Sequence, residues 1–228
     1  MSIYNILMCE QPTKNMKYMG PKSNIVVPIK RNKKTLIEHN LYYYDKLFGT
    51  TYNHVVVGFE AEKVIKSLPK NTNIGYGIIL DYKNTNHGKI VKDILIKYNY
   101  EHSGVFITSD ISGIITNNID IDYNKSYVFS TKTRYNDNEI TCNVVDGQVE
   151  HISYNTSDIY WTGACYLSND AVKLLKYINK IKFTDPLFLL EIINYLKDHG
   201  IVFNNMQLDN KQYTYISNTV FKSSKVAT

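Results

Sequence analysis

The sequence predicts an α/β fold: a single domain with a mixed, mainly parallel sheet flanked by helices. In the first half of the chain, short runs rich in β-branched residues alternate with amphipathic segments of helical period, which is the pattern of βαβ units. In the second half, apolar runs follow one another closely, and Asp146-Gly147 between two of them is a dipeptide typical of a tight hairpin turn. Parallel pairing is therefore expected first and antiparallel pairing later.

The first half is expected to contribute four buried strands with three helices between them. The first helix has the clearest limits, because Thr35 and Glu38 form a capping box and Gly49 supplies a stop. The other two helices are short amphipathic segments. The strands are predicted at 3–9, 53–59, 74–80 and 104–108, and the helices at 35–48, 60–68 and 88–98.

The second half is expected to be richer in strands. Ser168 can cap one helix, and a second helix has Pro186 in its first turn and Gly200 just past its end. The chain from Asn210 onward has no clear period, and no repeat or linker divides the sequence, so residues 1–228 are expected to form one domain. Strands are predicted at 127–131, 139–145, 149–154, 160–167 and 201–203.

Composition excludes several classes of protein. The net charge of +5 over 228 residues is modest, and the lysines are scattered, whereas a nucleic-acid binder usually has a basic stripe. No apolar stretch approaches the ~18 residues of a membrane-spanning helix, and the first residues lack the features of a signal peptide. Cys9, Cys142 and Cys165 are far apart and without metal-ligand spacing, which indicates buried free thiols in the cytoplasm.

The stretch 104–110 (GVFITSD) is the most informative part of the sequence, because an apolar run ends abruptly at a carboxylate. Such a run is typical of a strand buried on both faces of a parallel sheet. Ligands of open α/β sheets bind just past the carboxyl ends of the strands, and a carboxylate there is a natural ligand for Mg²⁺. The alternative is that Asp110 caps the turn that leaves the strand. Both interpretations of Asp110 remain open at this point.

The order of elements, together with several short segments, resembles the sugar-phosphate and phosphocholine nucleotidyltransferases, whose fold is shared with the A-type glycosyltransferases. The matching segments are 25–29 (IVVPI), 34–39 (KTLIEH), 55–60 (VVVGFE), 104–110 (GVFITSD) and 161–168 (WTGACYLS). The resemblance covers nearly the whole chain. It implies a nucleotide-diphospho-sugar transferase-like fold, with a nucleotide-binding half at the amino end and an acceptor or sugar half at the carboxyl end, divided at residue 114.

The resemblance also implies a metal site. Asp110 matches the family's metal-binding aspartate, and Asn218 matches the late Asp or Asn that supplies the second ligand, with Asp209 a weaker candidate. A neutral amide beside one carboxylate holds Mg²⁺ less tightly than two carboxylates, although substrate phosphates usually complete such sites. The alternative for Asn218 is an ordinary turn residue.

Two further groups of residues match the family's substrate contacts. Asn84, Asn86 and His87 follow the third strand, where the family contacts the base or the acceptor from the start of a helix, and a helix N-terminus favours anions. Trp161 and Gly163 lie in the segment that matches the strand lining the acceptor pocket. The alternatives are an ordinary asparagine cap in the first group and a buried core position for Trp161.

The main departure from the family lies in 9–22 (CEQPTKNMKYMGPK). The family has a glycine-rich loop here that ends in arginine and is followed by Pro-Lys. Its backbone N–H groups surround the triphosphate. This chain has no arginine in the segment and no glycine before position 20, and Glu10 has the wrong charge to face a triphosphate. Lys14, Lys17 and Lys22 are the candidates to supply catalytic positive charge instead, although lysine lacks the bidentate geometry of arginine.

Three functions follow from these observations. The first is a nucleotidyltransferase that transfers a nucleotidyl group from a nucleoside triphosphate to a sugar phosphate or phosphocholine-type acceptor, with Mg²⁺ as cofactor and release of pyrophosphate. The second is a glycosyltransferase that uses a nucleotide-sugar and needs no triphosphate loop. The third is a non-catalytic relative that binds a nucleotide or a protein partner and has lost turnover. Fold alone does not choose between them.

Other candidate groups are assigned structural roles. Asp120 and Asp122 form a D-x-D pattern like that of metal-dependent glycosyltransferases, but their polar surroundings favour a solvated loop. His39 and His54 fall within a predicted helix and a predicted strand, where a packed position is expected.

Overall fold

The computed structural model describes residues 2–9, 34–70, 73–81, 87–98, 103–109, 113–134, 140–177 and 189–215. Within these ranges the chain forms five helices, one nine-stranded sheet and one two-stranded sheet. The segment 25–29, which matches the family, lies outside the described residues.

The first half of the chain has the predicted βαβ organisation. Strands β1 to β4 are all parallel and lie in the order β3-β2-β1-β4, and β4 sits in the sheet interior between β1 and β9. This confirms the predicted neighbouring parallel strands. The elements are β1 (Ser2–Cys9), α1 (Leu36–Phe48), β2 (Tyr52–Val57), α2 (Ala61–Ser67), β3 (Ile74–Ile78), α3 (His87–Lys97) and β4 (Ser103–Thr108).

Helix α1 begins and ends where the sequence indicates. The Thr35 hydroxyl accepts a hydrogen bond from the Glu38 backbone N–H at 3.2 Å, and the Glu38 carboxylate accepts one from the Thr35 N–H at 2.6 Å. Gly49 closes the helix in the left-handed region at φ 60°. The capping box therefore satisfies two backbone donors that the first helical turn leaves without partners.

The second half completes the large sheet in the order β3-β2-β1-β4-β9-β6-β10-β8-β7. In this sheet β8 and β9 run opposite to the other seven described strands, so the sheet is mixed but mainly parallel in direction. The hairpin at Asp146-Gly147 is confirmed, since both residues have positive φ. The elements are β5 (Gly113–Ile115), β6 (Ser126–Thr131), β7 (Ile140–Val145), β8 (Gln148–Tyr154), β9 (Tyr160–Leu167), α4 (Asn169–Tyr177), α5 (Leu189–Asp198), β10 (Phe203–Leu208) and β11 (Tyr213–Tyr215).

The bounds predicted for the last long strand, 201–203, are wrong, because the strand spans Phe203–Leu208. Ile201 belongs to the end of α5, because its N–H donates to the Leu196 carbonyl at 3.0 Å, and the strand begins only at Phe203. Polar residues of this strand form hydrogen bonds to neighbouring strands; for example, the Asn204 amide donates to the Ser126 carbonyl at 3.3 Å. Strands β5 and β11 were not predicted, and Pro186 of the last predicted helix lies outside the described residues.

Helices and apolar clusters cover both faces of the sheet. On one face, α1, α2 and the small β5–β11 sheet pack over a cluster that includes Leu7, Val55 and Phe106. On the other face, α3, α4 and α5 pack over a second cluster that includes Ile6 and Val128. The three cysteines are buried free thiols, as predicted. None of the helices in the described ranges combines the length and apolar character that a membrane crossing requires.

Candidate functional site

The carboxyl ends of six parallel strands (β1, β2, β3, β4, β6 and β10) meet at one edge of the sheet, which we call the carboxyl edge. The chain passes from β1 through β2 to β3 on one side, and then returns to β4 on the other side of β1. Open α/β sheets bind ligands at such a reversal of strand order. Cys9 and Thr108 end the two strands at this reversal, so these two strand ends are neighbours in the sheet.

Ser109, the residue before Asp110, is fixed to strand β9. Its backbone N–H and its hydroxyl both donate to the Gly163 carbonyl, at 2.8 and 2.9 Å. Gly163 has φ +82° and lies in a bulge of β9. The bulge is also held from β6, because the Thr162 hydroxyl donates to the Phe129 carbonyl at 2.8 Å. Bulges next to functional sites commonly redirect the chain, and this one accounts for a glycine in the middle of a strand.

The end of β4 is also fixed from the helical layer. The Tyr44 and Thr108 hydroxyls form a hydrogen bond of 2.7 Å, which joins α1 to the last residue of β4. Burial raises the pKa of Tyr44, and its hydroxyl therefore remains protonated at neutral pH. The Tyr44 ring packs edge-on against Phe106 at 5.3 Å between centroids. The carboxyl end of β4 thus has little freedom to move.

The two-stranded sheet lies next to this strand end in sequence. Gly113 pairs with Tyr215 and Ile115 with Tyr213 in an antiparallel ladder that packs against α1. A side chain at Gly113 would clash, since a Cβ there would lie 2.1 Å from the Tyr213 hydroxyl oxygen. The ladder begins three residues after Asp110 and ends three residues before Asn218.

Three of the predicted site residues lie within the described ranges. His87 is the first residue of α3, and the helix follows β3 at the carboxyl edge. Gly163 forms the bulge that receives Ser109. The Trp161 indole N–H donates to the Ala164 carbonyl at 2.9 Å, and its partly buried ring packs against the apolar cluster under α3, α4 and α5. Trp161 therefore has a packing role, and a ligand contact for it stays a prediction.

The remaining predicted site residues lie outside the described residues. They are Lys14, Lys17, Lys22, Asn84, Asn86, Asp110 and Asn218. Their roles stay predictions. Sequence reasoning overlooked Ser109 and Thr162, whose hydroxyls fix the strand ends, because hydroxyls that bond to a distant carbonyl leave no local pattern in the sequence.

The weaker metal candidate, Asp209, has a turn role. One of its carboxylate oxygens accepts the backbone N–H groups of Lys211 at 2.7 Å and Gln212 at 2.9 Å. This arrangement is a side-chain-capped turn, for which aspartate is a preferred residue. The turn carries the chain from β10 to β11.

The D-x-D pair lies in a solvated loop, as predicted. Asp120 and Asp122 are exposed, and the Asp122 carboxylate accepts the Asn124 N–H at 3.1 Å and lies 3.4 Å from the Lys125 ammonium. The Asn124 hydrogen bond is the main cause of a lowered pKa for Asp122. Among the described residues, no three His, Cys, Asp or Glu side chains converge on a possible metal position.

Solved structures of other proteins share this fold, whereas sequence comparison finds no match. No protein-family model and no curated protein sequence matches the chain. A structure from Bacillus anthracis, assigned as a glucose-1-phosphate thymidylyltransferase in complex with sucrose, superposes with a TM-score of 0.75 at 11% identity over 99% of this chain and 94% of that one.

Two further structures agree with this likeness. The CTP:phosphocholine cytidylyltransferase LicC of Streptococcus pneumoniae superposes with a TM-score of 0.74 at 16% identity, over 99% of both chains. The inositol-1-phosphate CTP transferase of T. maritima superposes with a TM-score of 0.71 at 13% identity, over 97% of this chain and 92% of that one. The chain has the nucleotide-diphospho-sugar transferase-like fold of the nucleotidyltransferases.

Proposed function

We propose that the chain is a Mg²⁺-dependent nucleotidyltransferase that acts on a nucleoside triphosphate and a small phosphorylated acceptor. An oxygen of the acceptor phosphate attacks the α-phosphorus of the triphosphate in line. The new phosphorus–oxygen bond forms as the bond from the α-phosphorus to the bridging oxygen of the β-phosphate breaks, and pyrophosphate leaves with both electrons of that bond. No covalent enzyme intermediate is needed, so the protein has only to position the reactants and stabilise charge.

The observation that carries this proposal is the reversal of strand order between β1 and β4. It makes the ends of these two strands neighbours, and in the sequence the lysine-containing segment follows Cys9 and the Asp110 segment follows Ser109. One segment offers positive charge for phosphates, and the other offers a carboxylate for a hard cation. The Ser109–Gly163 and Tyr44–Thr108 hydrogen bonds fix the residues just before Asp110, which supports a firmly held carboxylate there.

The β5–β11 ladder supports Asn218 as the second metal ligand. Gly113 pairs with Tyr215, so Asp110, three residues before Gly113, and Asn218, three residues after Tyr215, flank the same end of the ladder in sequence. A carboxylate and an amide oxygen are hard donors of the kind Mg²⁺ binds, and phosphate oxygens of the substrates can complete the coordination. When bound, the ion would offset negative charge on the transferred phosphate.

The other proposed contacts divide between the two halves of the chain. Lys14, Lys17 and Lys22 would offset the charge of the leaving pyrophosphate. Asn84, Asn86 and His87 precede or begin α3, whose N-terminus favours a negatively charged ligand. Trp161, in the second half, would border the acceptor beside the Gly163 bulge.

The experiment is a pyrophosphate-release assay on the purified chain. ATP, CTP, GTP and dTTP or UTP are each tested with glucose 1-phosphate, phosphocholine and inositol 1-phosphate, the acceptors named for the structural neighbours. We expect one pair to release pyrophosphate, and chelation of Mg²⁺ to stop the release. Tight binding of a triphosphate without turnover with any acceptor would favour the non-catalytic alternative.

The glycosyltransferase alternative is favoured by one observation, the absence of a glycine-rich triphosphate loop after β1. It predicts that nucleotide-diphosphate sugars raise the melting temperature and that free triphosphates do not. A ligand at a hundredfold excess over its dissociation constant stabilises the native state by about 2.7 kcal/mol, so a thermal-shift screen separates the two. Pyrophosphate release would exclude glycosyl transfer as the main activity.

A further inference from the structure

Strand β3 forms a free edge of the large sheet. In the described part of the chain it pairs only with β2, so one row of backbone N–H and C=O groups has no strand beside it. Tyr76, Ile78 and Leu80 along it are 50%, 51% and 91% exposed. Natural sheets protect such edges with charges, proline or bulges, and residues 73–80 contain none of these. Strand β3 therefore has the features of an edge strand that can pair with a strand of another chain.

The backbone geometry identifies which residues face outward. The Asn73 carbonyl accepts the Asn53 N–H at 2.8 Å, and the Ile79 N–H donates to the Val57 carbonyl at 2.7 Å. Odd-numbered residues therefore direct their backbone groups toward β2. Because these directions alternate along a strand, the even-numbered residues of β3 direct theirs toward the free edge.

The sequence of β3 is a palindrome. Residues 74–78 read Ile-Gly-Tyr-Gly-Ile, with Tyr76 at the centre. In a two-fold symmetric interface the same surface serves both partners, so residue i contacts j and j contacts i. Antiparallel pairing about Tyr76 sets Tyr76 against Tyr76, each Ile74 against an Ile78, and each Gly75 against a Gly77. Ile74, Tyr76 and Ile78 direct their backbone N–H and C=O groups toward the free edge, so all three form hydrogen-bonded pairs in this register.

We propose that β3 pairs with β3 of a second copy of this chain, which joins the two nine-stranded sheets edge to edge across a two-fold axis at Tyr76. Charge complementarity supports a second copy as the occupant. Lys70 precedes the strand and Asp81 follows it, and no charged residue lies in 73–80 between them. Antiparallel pairing therefore brings the basic end of one strand to the acidic end of the other, at both ends of the interface.

The first test measures oligomeric state by sedimentation over a range of protein concentrations. The whole chain is expected to form a concentration-dependent dimer. Tyr76→Lys sets two ammonium groups face to face on the axis and is expected to raise the dimer dissociation constant at least tenfold. Tyr177→Lys is the matched control, because Tyr177 is 65% exposed on α4, and it is expected to leave the dimer unchanged.

The second test fixes the register. In Tyr76→Cys, two thiols meet on the axis at the ~5.5 Å Cα separation of a hydrogen-bonded pair, within the range a disulfide spans. Oxidation should therefore yield a covalent dimer, while the natural buried cysteines remain free. Leu80→Cys is the control, because four residues from the axis its two copies would lie about 27 Å apart at ~3.4 Å per residue. A monomer at all concentrations, a dimer insensitive to Tyr76→Lys, or equal cross-linking of the two cysteine variants would overturn the proposal.

Discussion

At the amino edge of the large sheet, buried polar side chains bond mainly to each other, whereas at the carboxyl edge two hydroxyls bond to the main chain of neighbouring strands. At the amino edge, the Asn5 amide donates to the Asn53 side-chain oxygen at 2.9 Å, and the Asn53 amide donates to the Asp45 carboxylate at 2.8 Å. Thr50 donates to the same carboxylate. At the carboxyl edge, the hydroxyls of Ser109 and Thr162 donate to backbone carbonyls of neighbouring strands.

This difference separates stability from function in the same sheet. The amino-edge side chains Asn5, Asn53, Thr50 and Asp45 bond to one another, although the buried Asn5 Oδ1 has no partner among the described residues. The carboxyl-edge hydroxyls fix strand ends, from which the segments with the candidate charged residues depart. Substitutions at the amino edge should therefore cost stability and leave chemistry unchanged once the protein is folded. Substitutions at the carboxyl edge should do the opposite.

The largest loss of stability is expected from Gly104→Ala, near the amino end of β4. An added Cβ would lie 1.7 Å from the hydroxyl oxygen of the fully buried Tyr166, so the ring must move. Overpacking of this kind typically costs about 3 kcal/mol of unfolding free energy. Urea denaturation measures the loss, and Gly77→Ala, whose added Cβ would meet its nearest neighbour at 3.2 Å, is the milder control.

A double-mutant cycle with Tyr166→Leu checks the cause of that loss. If the clash with the ring is responsible, Gly104→Ala should cost less in the Tyr166→Leu background than in the wild type. An unchanged cost in both backgrounds would show that the ring is not the source of the strain.

The second effect depends on pH and concerns His54 in β2. Burial, and then the charge of Lys97, lower the pKa of His54 to about 4, and its buried Nδ1 has no hydrogen-bond partner among the described residues. In the unfolded chain the imidazole takes up a proton near its ordinary pKa of 6.5. In the folded chain it stays neutral until the pH approaches about 4. Stability is therefore highest above pH 6.5, falls as the pH drops toward 4, and loses about 3 kcal/mol over that window.

Urea unfolding at pH 7.5 and pH 4.5 measures this contribution. His54→Gln should reduce the difference in unfolding free energy between the two pH values, because the group that titrates is gone. His151→Gln removes an exposed imidazole from β8 and controls for the substitution itself. Equal pH dependence in the two variants would contradict the assignment to His54.

The third effect concerns the polar network of the amino edge. Asn53→Ala deprives the buried Asn5 amide and the Asp45 carboxylate of one partner each. Unsatisfied buried groups of this kind cost about 2 kcal/mol in unfolding free energy. The variant should melt at a lower temperature while its turnover at a temperature well below melting stays within twofold of the wild type. A large loss of turnover in the folded variant would contradict the claim that the amino edge serves stability and not chemistry.

The smallest effect on stability is expected at the carboxyl edge, from Ser109→Ala. The variant loses the hydroxyl bond to Gly163 and keeps the backbone bond, so the cost is about 1 kcal/mol. Turnover should fall about tenfold, because small displacements of a catalytic group are costly. Ser67→Ala removes a similar bond, from a hydroxyl to the Val64 carbonyl, at the far end of α2, and should leave turnover unchanged.

The sequence predicted most of the fold where local chemistry decides it. The Thr35–Glu38 box and Gly49 define a helix, and Asp146-Gly147 defines a hairpin, because these residues act within a few positions of themselves. Strand β10 was misplaced because its polar residues are stabilised by partners far away in sequence, as in the bond between Ser130 and Asn205. The three-residue strands of the small sheet are too short to show any period.

For the candidate site, the sequence predicted the strand end before Asp110 but not the hydrogen bonds that fix it. Asp110 was identified because a strand buried on both faces ends just before it; that buried parallel strand is confirmed, and the structure adds that it ends at the reversal of strand order. The bonds that fix this end come from Gly163 and Tyr44, which lie 54 and 64 residues away from their partners. No local pattern encodes contacts at such separations.

The most direct test of the proposed function is Mg²⁺-dependent turnover of Asp110→Asn, with Asp120→Asn from the exposed loop as the matched control. The asparagine removes the one carboxylate of the proposed site, so we expect activity and Mg²⁺-dependent binding of the triphosphate to fall at least a hundredfold, with an unchanged melting temperature. As a turn cap, asparagine serves about as well as aspartate. An Asp110→Asn variant that keeps both its turnover and its Mg²⁺ dependence would contradict the metal site.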